Sequence, residues 1–421
     1  MSCPSRPASP YNFPMGYRYL LLGAGMQGQA GAYDLARFGE AEEVLLADLD
    51  LERAERVAER VNQLIRGPLV RPLRVDVRDR RGLIAALKGC DAALSAVPYR
   101  FNLEVTEAAL AARTGLCDLG GDTEIVLKQM ELDPRAKEVQ IAIVPDCGLA
   151  PGMANVLATY AISRVEQPVE VRIWCGGLPQ RPKPPLGYKL VFNIEGLTKE
   201  YCGKTYLLRG GRVVEVEALT ELEEVEFPPP VGRCEAFLTS GGSSTAPWTF
   251  AGRLKVYEYK TVRYPGHCEK IRLLRELGLL EPEPVQVGEV RARARVSPRE
   301  LFHVIVPPRI SFPEDPDLVI LRVSCRGEEG GRPVEVQLEL MDFYDERTGF
   351  SAMERTTAFS AAIVVGMIAR GELEPGVAPM ERAVPPEPFI SQLLWRGFEL
   401  KEMVSRPVAP PRPPRPRARS G

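Results

Sequence analysis

Two domains, a doubly wound α/β sheet and a second α+β unit built on an antiparallel sheet, are what three observations predict. Short apolar runs alternate with amphipathic stretches from Tyr17 to about Pro145. After Gly152 the rhythm changes to period-two runs. The chain has 421 residues, 45% of them hydrophobic, which is too long for one ordinary core and apolar enough for two.

In the first domain, 15–147, the segments "YRYLLLG", "EVLLAD", "LRVDV", "AALSAV", "GLCDLGG" and "IAIVP" read as strands, separated by helical patterns such as "LERAERVAERVNQLI" and "NLEVTEAALAART". Strict alternation of strand and helix implies right-handed crossovers and a parallel sheet. In the second domain, 148–352, "VEVRIW", "LKVYEYKTVRY" and "VEVQLELMDFY" alternate as strands, with turns expected at Gly210-Gly211 and Gly330-Gly331. The helical "AFSAAIVVGMIARGE" opens a segment, about 353–404, expected to return to the first domain. Residues 1–14 and 405–421, rich in Pro, Ser and Arg without apolar periodicity, read as disordered tails.

A net charge of -2, with acids and bases interleaved, leaves no footprint for nucleic acid or an anionic membrane, and neither partner is expected. Nine scattered cysteines, never spaced C-x-x-C, indicate neither a disulfide framework nor a zinc site, so no metal is expected. A reducing, cytoplasmic location fits them. No apolar run reads as long enough to span a membrane, and the N-terminus lacks the apolar core of a secretory signal.

Gly23, Gly25 and Gly28 form G-x-G-x-x-G, with Met26 and Gln27 between the last two, directly after an apolar strand and at the start of a helix. The first glycine permits a tight turn, the second lets a pyrophosphate approach the backbone, and the third allows close packing of the helix. Asp48 ends the next strand, where a carboxylate accepts the ribose hydroxyls of a dinucleotide. Leu49 and Asp50 follow, and the nearest base, Arg53, lies in the next helix, so a 2'-phosphate would meet two carboxylates and NAD is preferred over NADP. Context thus makes this a Rossmann domain. Asp76 either sits beside the adenine or caps the helix of "RDRRGL". Ser95, Ala96, Val97 and Pro98 end the fourth strand and should pass along the cofactor.

Two further strand ends are decorated: "CDLGGD", with Asp118, Gly120, Gly121 and Asp122, and "VPDCGLAPGMANVL", with Asp146, Cys147 and Gly148. Asp146 is either a site residue or the cap of a helix starting near Pro151. Together with "GAGMQG", "LTSGGSST" and "YKTVRYPGH", these motifs resemble the saccharopine dehydrogenase-like family, and most nearly its lysine 6-dehydrogenase subgroup, from about Tyr17 to Leu400. "PPLGYKLVFNIEGL" and "ERTTAFSAAI" match that subgroup's style, although Gly187 stands where an acidic residue is expected.

The resemblance implies a Rossmann domain interrupted by an α+β domain that binds a small amino-acid substrate and forms a homodimer. It places Asp118, Gly120 and Gly148 near the nicotinamide. Gly121, Cys147, Tyr188, Thr239, Ser240, Gly241, Arg263 and Tyr264 fall near the substrate. Chemistry adds that Arg263 offers a planar fork for an α-carboxylate, which a lysine does less well. Strand alternation puts Arg263 on one face with Thr261 and Tyr259, and Lys260, Val262 and Tyr264 on the other. Asp146, His267 and Lys260, in that order, are candidates for the base, His267 being alternatively a structural residue at a helix start. The expected activity is NAD-dependent oxidative deamination of L-lysine at its ε-amine. Its rivals are a saccharopine or carboxynorspermidine dehydrogenase, and a dimer that senses NADH without turnover.

Overall fold

The computed structural model describes residues 16–288 and 294–406, so that the expected tail 1–14 and all but two residues of 405–421 lie outside the described residues. The first sheet contains β1 (Tyr17–Leu22), β2 (Ala41–Asp48), β3 (Val70–Arg74), β4 (Ala92–Ser95), β5 (Gly115–Asp118) and β6 (Ala142–Val144). They are parallel and run β3-β2-β1-β4-β5-β6 across the sheet. The order reverses between β1 and β4, and the crevice at that switch point is where ligands of such sheets bind. Helix α1 (Met26–Phe38) follows β1 directly.

The third strand lies upstream of the expected "LRVDV". It includes Pro72, paired with Leu46, and a proline without an N-H is tolerated because β3 is the edge of the sheet.

The second sheet is built from β7 (Gln167–Pro179), β8 (Lys204–Arg209), β9 (Arg212–Glu217), β10 (Glu223–Phe227), β11 (Gly232–Phe237) and β12 (Val256–Arg263). A small separate hairpin, β13 (Val285–Val287) and β14 (Ala294–Val296), precedes the long strands β15 (Asp317–Glu329) and β16 (Arg332–Phe343). Gly210-Gly211 joins β8 to β9 and Gly330-Gly331 joins β15 to β16, all four glycines at positive φ (57°, 78°, 56° and 73°), as primed hairpin turns require. The sheet is mixed and not purely antiparallel: β12 runs parallel to β7. The long excursion through β8 to β11 brings the chain back to begin β12 at the end where β7 began.

Residues Ala352–Ala369 form an 18-residue helical run of mean hydropathy 1.2, long and apolar enough by composition to cross a membrane, contrary to the reading of the sequence. It is 83% buried and packs on β4 and β5, so its apolar surface on all sides belongs to the core. Beyond it β17 (Gly376–Val377) extends the first sheet beside β6. The last strand, β18 (Leu400–Ser405), pairs instead with β16 in the second sheet. Arg396 fastens this segment to α1 through both oxygens of the buried Asp34, at 2.7 and 2.8 Å.

Candidate active site

Gly23 leaves β1 at φ 98°, and a Cβ there would stand 2.8 Å from the carbonyl oxygen of Ala96. At Gly28 it would stand 1.7 Å from the carbonyl oxygen of Gly23, so the loop closes on the helix only without a side chain. A Cβ on Gly25 meets nothing within 4 Å, and Gly25 begins α1 with no side-chain cap. Free helix N-H groups and open space over them fit a pyrophosphate. Asp48 is pinned by the amides of Ala24 (2.7 Å) and Asp50 (2.9 Å), which hold its carboxylate against this loop. Met26 is exposed, while Gln27 is turned inward toward Met353, its Oε1 buried and unpartnered. These residues fit a nicotinamide dinucleotide.

Several neighbours take other roles. Asp79, not Asp76, caps the following helix; Asp76 pairs with Arg78 at 2.8 Å in the turn after β3, a pairing that lowers its carboxyl. The Ser95 hydroxyl faces inward to Asn102 (3.2 Å), so only Ala96, Val97 and Pro98 continue along the crevice. Asp118 is buried and also faces inward, accepting from the amides of Gly120 (2.8 Å) and Asp146 (3.2 Å) and from Gln129 (2.8 Å). It shapes the loop from within.

That loop presents Asp146, which stands at φ 60° and is 4% exposed. Gly120 has no Cβ because one would lie 1.6 Å from Asp146 Oδ1. Asp146 Oδ2 accepts a short hydrogen bond from Ser244 of the second domain, whereas Oδ1 is buried without a partner. Burial, then the nearby Asp118, push its carboxyl up to about 8. Asp146 caps no helix: the turn Leu149–Met153 intervenes before the helix Ala154–Ser163. Cys147 is fully buried with its thiol on the Val144 carbonyl (3.2 Å), so its side chain cannot reach a substrate. Gly148 packs against Thr357, 3.3 Å from where its Cβ would be, and Gly121, at φ 121°, against Tyr99 at 3.0 Å.

Arg263, at the end of β12, is buried and lies over the ring of Tyr188, 4.8 Å from its centre. Its Nε donates to Tyr201 (3.2 Å), Nη1 to the Val262 carbonyl (2.9 Å) and Nη2 to Glu200 (3.3 Å). No carboxylate holds it bidentately, and two N-H groups remain. Glu200 keeps 31% of its side chain exposed, yet its protein surroundings push its carboxyl up to about 7 against the pull of Arg263. The Tyr188 hydroxyl is buried without a partner. Thr239 meets Thr261 at 2.6 Å, and the Ser240 amide donates to the Glu200 carbonyl at 2.9 Å. Gly241 follows at φ 90° in open space. The loop from Thr239 to Ser244 thus runs from the Arg263 cluster to Asp146.

Three expectations change here. His267 is buried with both nitrogens engaged, Nε2 by the Tyr201 hydroxyl (2.9 Å) and Nδ1 by the Leu186 carbonyl (3.2 Å). The carbonyl requires the proton on Nδ1, so Nε2 accepts from Tyr201. Burial, reinforced by Arg263, lowers the ring to about 3 and keeps it neutral, a structural strut and no proton shuttle. Lys260 occupies the opposite face of β12, paired with Glu223 (3.2 Å), which also takes the Trp174 indole. Tyr264 shares that opposite face and donates to the Pro179 carbonyl (3.1 Å).

The sequence reading missed Glu200, Tyr201, Ser243, Ser244, Asn155, Tyr257 and Glu381. Ser243 and Ser244 lie within the quoted "LTSGGSST", Asn155 within "VPDCGLAPGMANVL" and Tyr257 within "LKVYEYKTVRY"; Glu200, Tyr201 and Glu381 carry no local signal.

Two family models divide the chain between them: Saccharopine dehydrogenase NADP binding domain over 19–144, and Saccharopine dehydrogenase C-terminal domain over 148–398. Among curated proteins it is 26% identical over 223 residues to saccharopine dehydrogenase (NADP(+), L-glutamate-forming) of Pyricularia oryzae, covering 50% of this chain and 48% of that protein. To the protein of that name from Saccharomyces cerevisiae it is 24% identical over 284 residues, 65% of this chain and 60% of the other. The chain thus spans about half to three-fifths of these relatives' length. In fold it is similar to apo saccharopine dehydrogenase (L-Glu forming) from Saccharomyces cerevisiae, with a TM-score of 0.74 and 18% identity, covering 93% of this chain and 100% of that one.

Proposed function

Because this chain belongs to the saccharopine dehydrogenase family, we propose that it is an NAD-dependent amino-acid dehydrogenase acting on the ε-amine of L-lysine. The products are 2-aminoadipate 6-semialdehyde, ammonia and NADH. The observation that carries this reading is the division of charge along the loop 239–244: a guanidinium with two N-H groups to spare at one end, and a carboxyl with an unpartnered oxygen and, among the described residues, no basic partner at the other. An amino acid with one carboxylate and a distal amine matches that division. Arg263 holds the carboxylate, with Tyr188 beneath it.

A nicotinamide dinucleotide supplies the hydride acceptor when bound. The chain orients the ε-carbon toward it by holding the substrate between Arg263 and Asp146. Asp146 then accepts the proton from the water that attacks the iminium carbon, a role open to its ionised form. Ser244 holds the carboxyl in place.

Asp48 favours NAD, since a 2'-phosphate would meet its carboxylate and that of Asp50. Asp48→Ala is expected to narrow the preference for NAD over NADP about tenfold, a change of roughly 1.4 kcal/mol, measured as the ratio of kcat/KM with the two cofactors. An unchanged ratio would remove Asp48 from the ribose.

A second reading, oxidation of saccharopine, is favoured by the names of the relatives. It would place a secondary amine and further carboxylates in the site. Turnover of L-lysine and saccharopine with either cofactor decides between the two. For lysine, kcat/KM should rise steeply from pH 7 toward pH 10: the ε-amine, with a pKa of about 10.4 in water, must be neutral to release hydride, and Asp146 must be ionised. An optimum at or below neutrality would overturn the lysine reading.

A further inference from the structure

Glu381 lies in the short helix Met380–Ala383, just beyond β17, in a Pro-rich stretch. It is 7% exposed. Its Oε1 accepts from the hydroxyls of Thr245 (2.8 Å) and Thr249 (2.9 Å), and its Oε2 from the Asn155 amide (3.3 Å). Asn155 is fixed in turn by the Tyr257 hydroxyl at 2.7 Å. Each partner can donate to it, and these donors oppose the burial that pushes its carboxyl up from the ordinary glutamate range. Among the described residues no lysine, arginine or histidine is a partner of Glu381. Replacing it with an apolar side chain would leave two hydroxyls and an amide buried without their acceptor.

Its partners sit next to Asp146 in a particular way. Thr245 is bonded to Glu381, and the preceding residue, Ser244, is bonded to Asp146. The loop therefore has one carboxyl behind it and one in front. Ser243, also in this loop, has a buried hydroxyl without a partner.

We propose that Glu381 is a positioning residue for Asp146: it clamps Thr245 and Thr249 so that the Ser244 hydroxyl stays on the Asp146 carboxyl. The proposal rests on the role given to Asp146 above. Electrostatics gives the clamp a second effect. The groups facing Asp146 are Asp118 from the end of β5, Glu381 from the C-terminal segment, the Ser244 hydroxyl, the Gly121 amide and the thiol of Cys147. Two of these are carboxyls and none is basic, so Glu381, like Asp118, opposes ionisation of Asp146.

The test reads the Asp146 proton directly, by carbon-13 NMR of aspartate-labelled protein, with Asp146→Asn assigning the resonance. Thr245→Val keeps the shape and every charge and removes one clamp: Ser244 loosens, Asp146 loses its donor, and its titration is expected to move up, with cofactor affinity unchanged. A folded Thr245→Val whose Asp146 titrates as in the wild type overturns the proposal. If that variant does not fold, Thr249→Val releases the other hydroxyl, and no movement of the Asp146 titration overturns the proposal equally. The pH dependence of kcat is then compared with the NMR titration. If the titration moves while the rate profile stays, the clamp stands and the base role of Asp146 falls.

Discussion

Asp146 and His267 are both buried, and burial drives both toward their neutral forms, yet they differ in how much of their hydrogen-bonding capacity is used. The imidazole donates through one nitrogen and accepts through the other, so nothing is left for a ligand. The carboxyl accepts once, from Ser244, and keeps an unpartnered oxygen. A buried polar atom without a partner is costly, and the structure tolerates it where something else is to arrive. A lone histidine just after a Pro-Gly turn attracts attention in a sequence, but here the unused hydrogen-bonding capacity is at the aspartate.

The harshest test of that contrast is Asp146→Asn, which keeps the shape and removes the proton acceptor. It should lower kcat by about 10²- to 10⁴-fold with unchanged cofactor binding. Were His267 the base, this variant would be mild and His267→Gln severe. Next in size is Arg263→Lys, which replaces a fork by a point charge and should raise KM for lysine about 30- to 150-fold, or roughly 2 to 3 kcal/mol. A KM within twofold of wild type would take Arg263 out of the site.

The smallest effect concerns stability, and its sign separates the two residues. His267 falls from an ordinary 6.5 to about 3 on folding, so its contribution is present above pH 6.5 and is lost as pH drops toward 3. Asp146 rises from 3.8 to about 8, so its contribution is present at low pH and is lost as pH climbs toward 8. Urea unfolding between pH 4 and pH 9 should therefore show His267→Gln flattening the acid side and Asp146→Asn the alkaline side. Matching slopes in both variants would erase the distinction.

Periodicity made the first domain legible because each strand there is a short apolar run feeding a helix, and the glycine spacing after β1 has few other uses. Pro72 misplaced β3, since whether a strand tolerates proline depends on its being an edge, a tertiary fact. On β12 the period-two rule separated Arg263 from Lys260 and Tyr264 before any coordinates, while the resemblance drew all three into one site. What stayed hidden was contributed across long separations. Glu200 and Tyr201 reach Arg263 from a helix about sixty residues upstream, and Glu381 meets Thr245 from 136 residues away. Local pattern holds no record of such meetings.

The route of the chain after residue 350 has a consequence for biosynthesis. The helix Ala352–Ala369 covers β4 and β5, and β17 completes the first sheet, so a nascent chain emerging from the ribosome exposes those apolar strands until residue 377 has been made. The second sheet waits longer still for β18, its final strand. Neither unit is encoded as one uninterrupted stretch, so a chain that stops between β16 and the helix Ala352–Ala369 carries two unfinished sheets and not one finished and one missing.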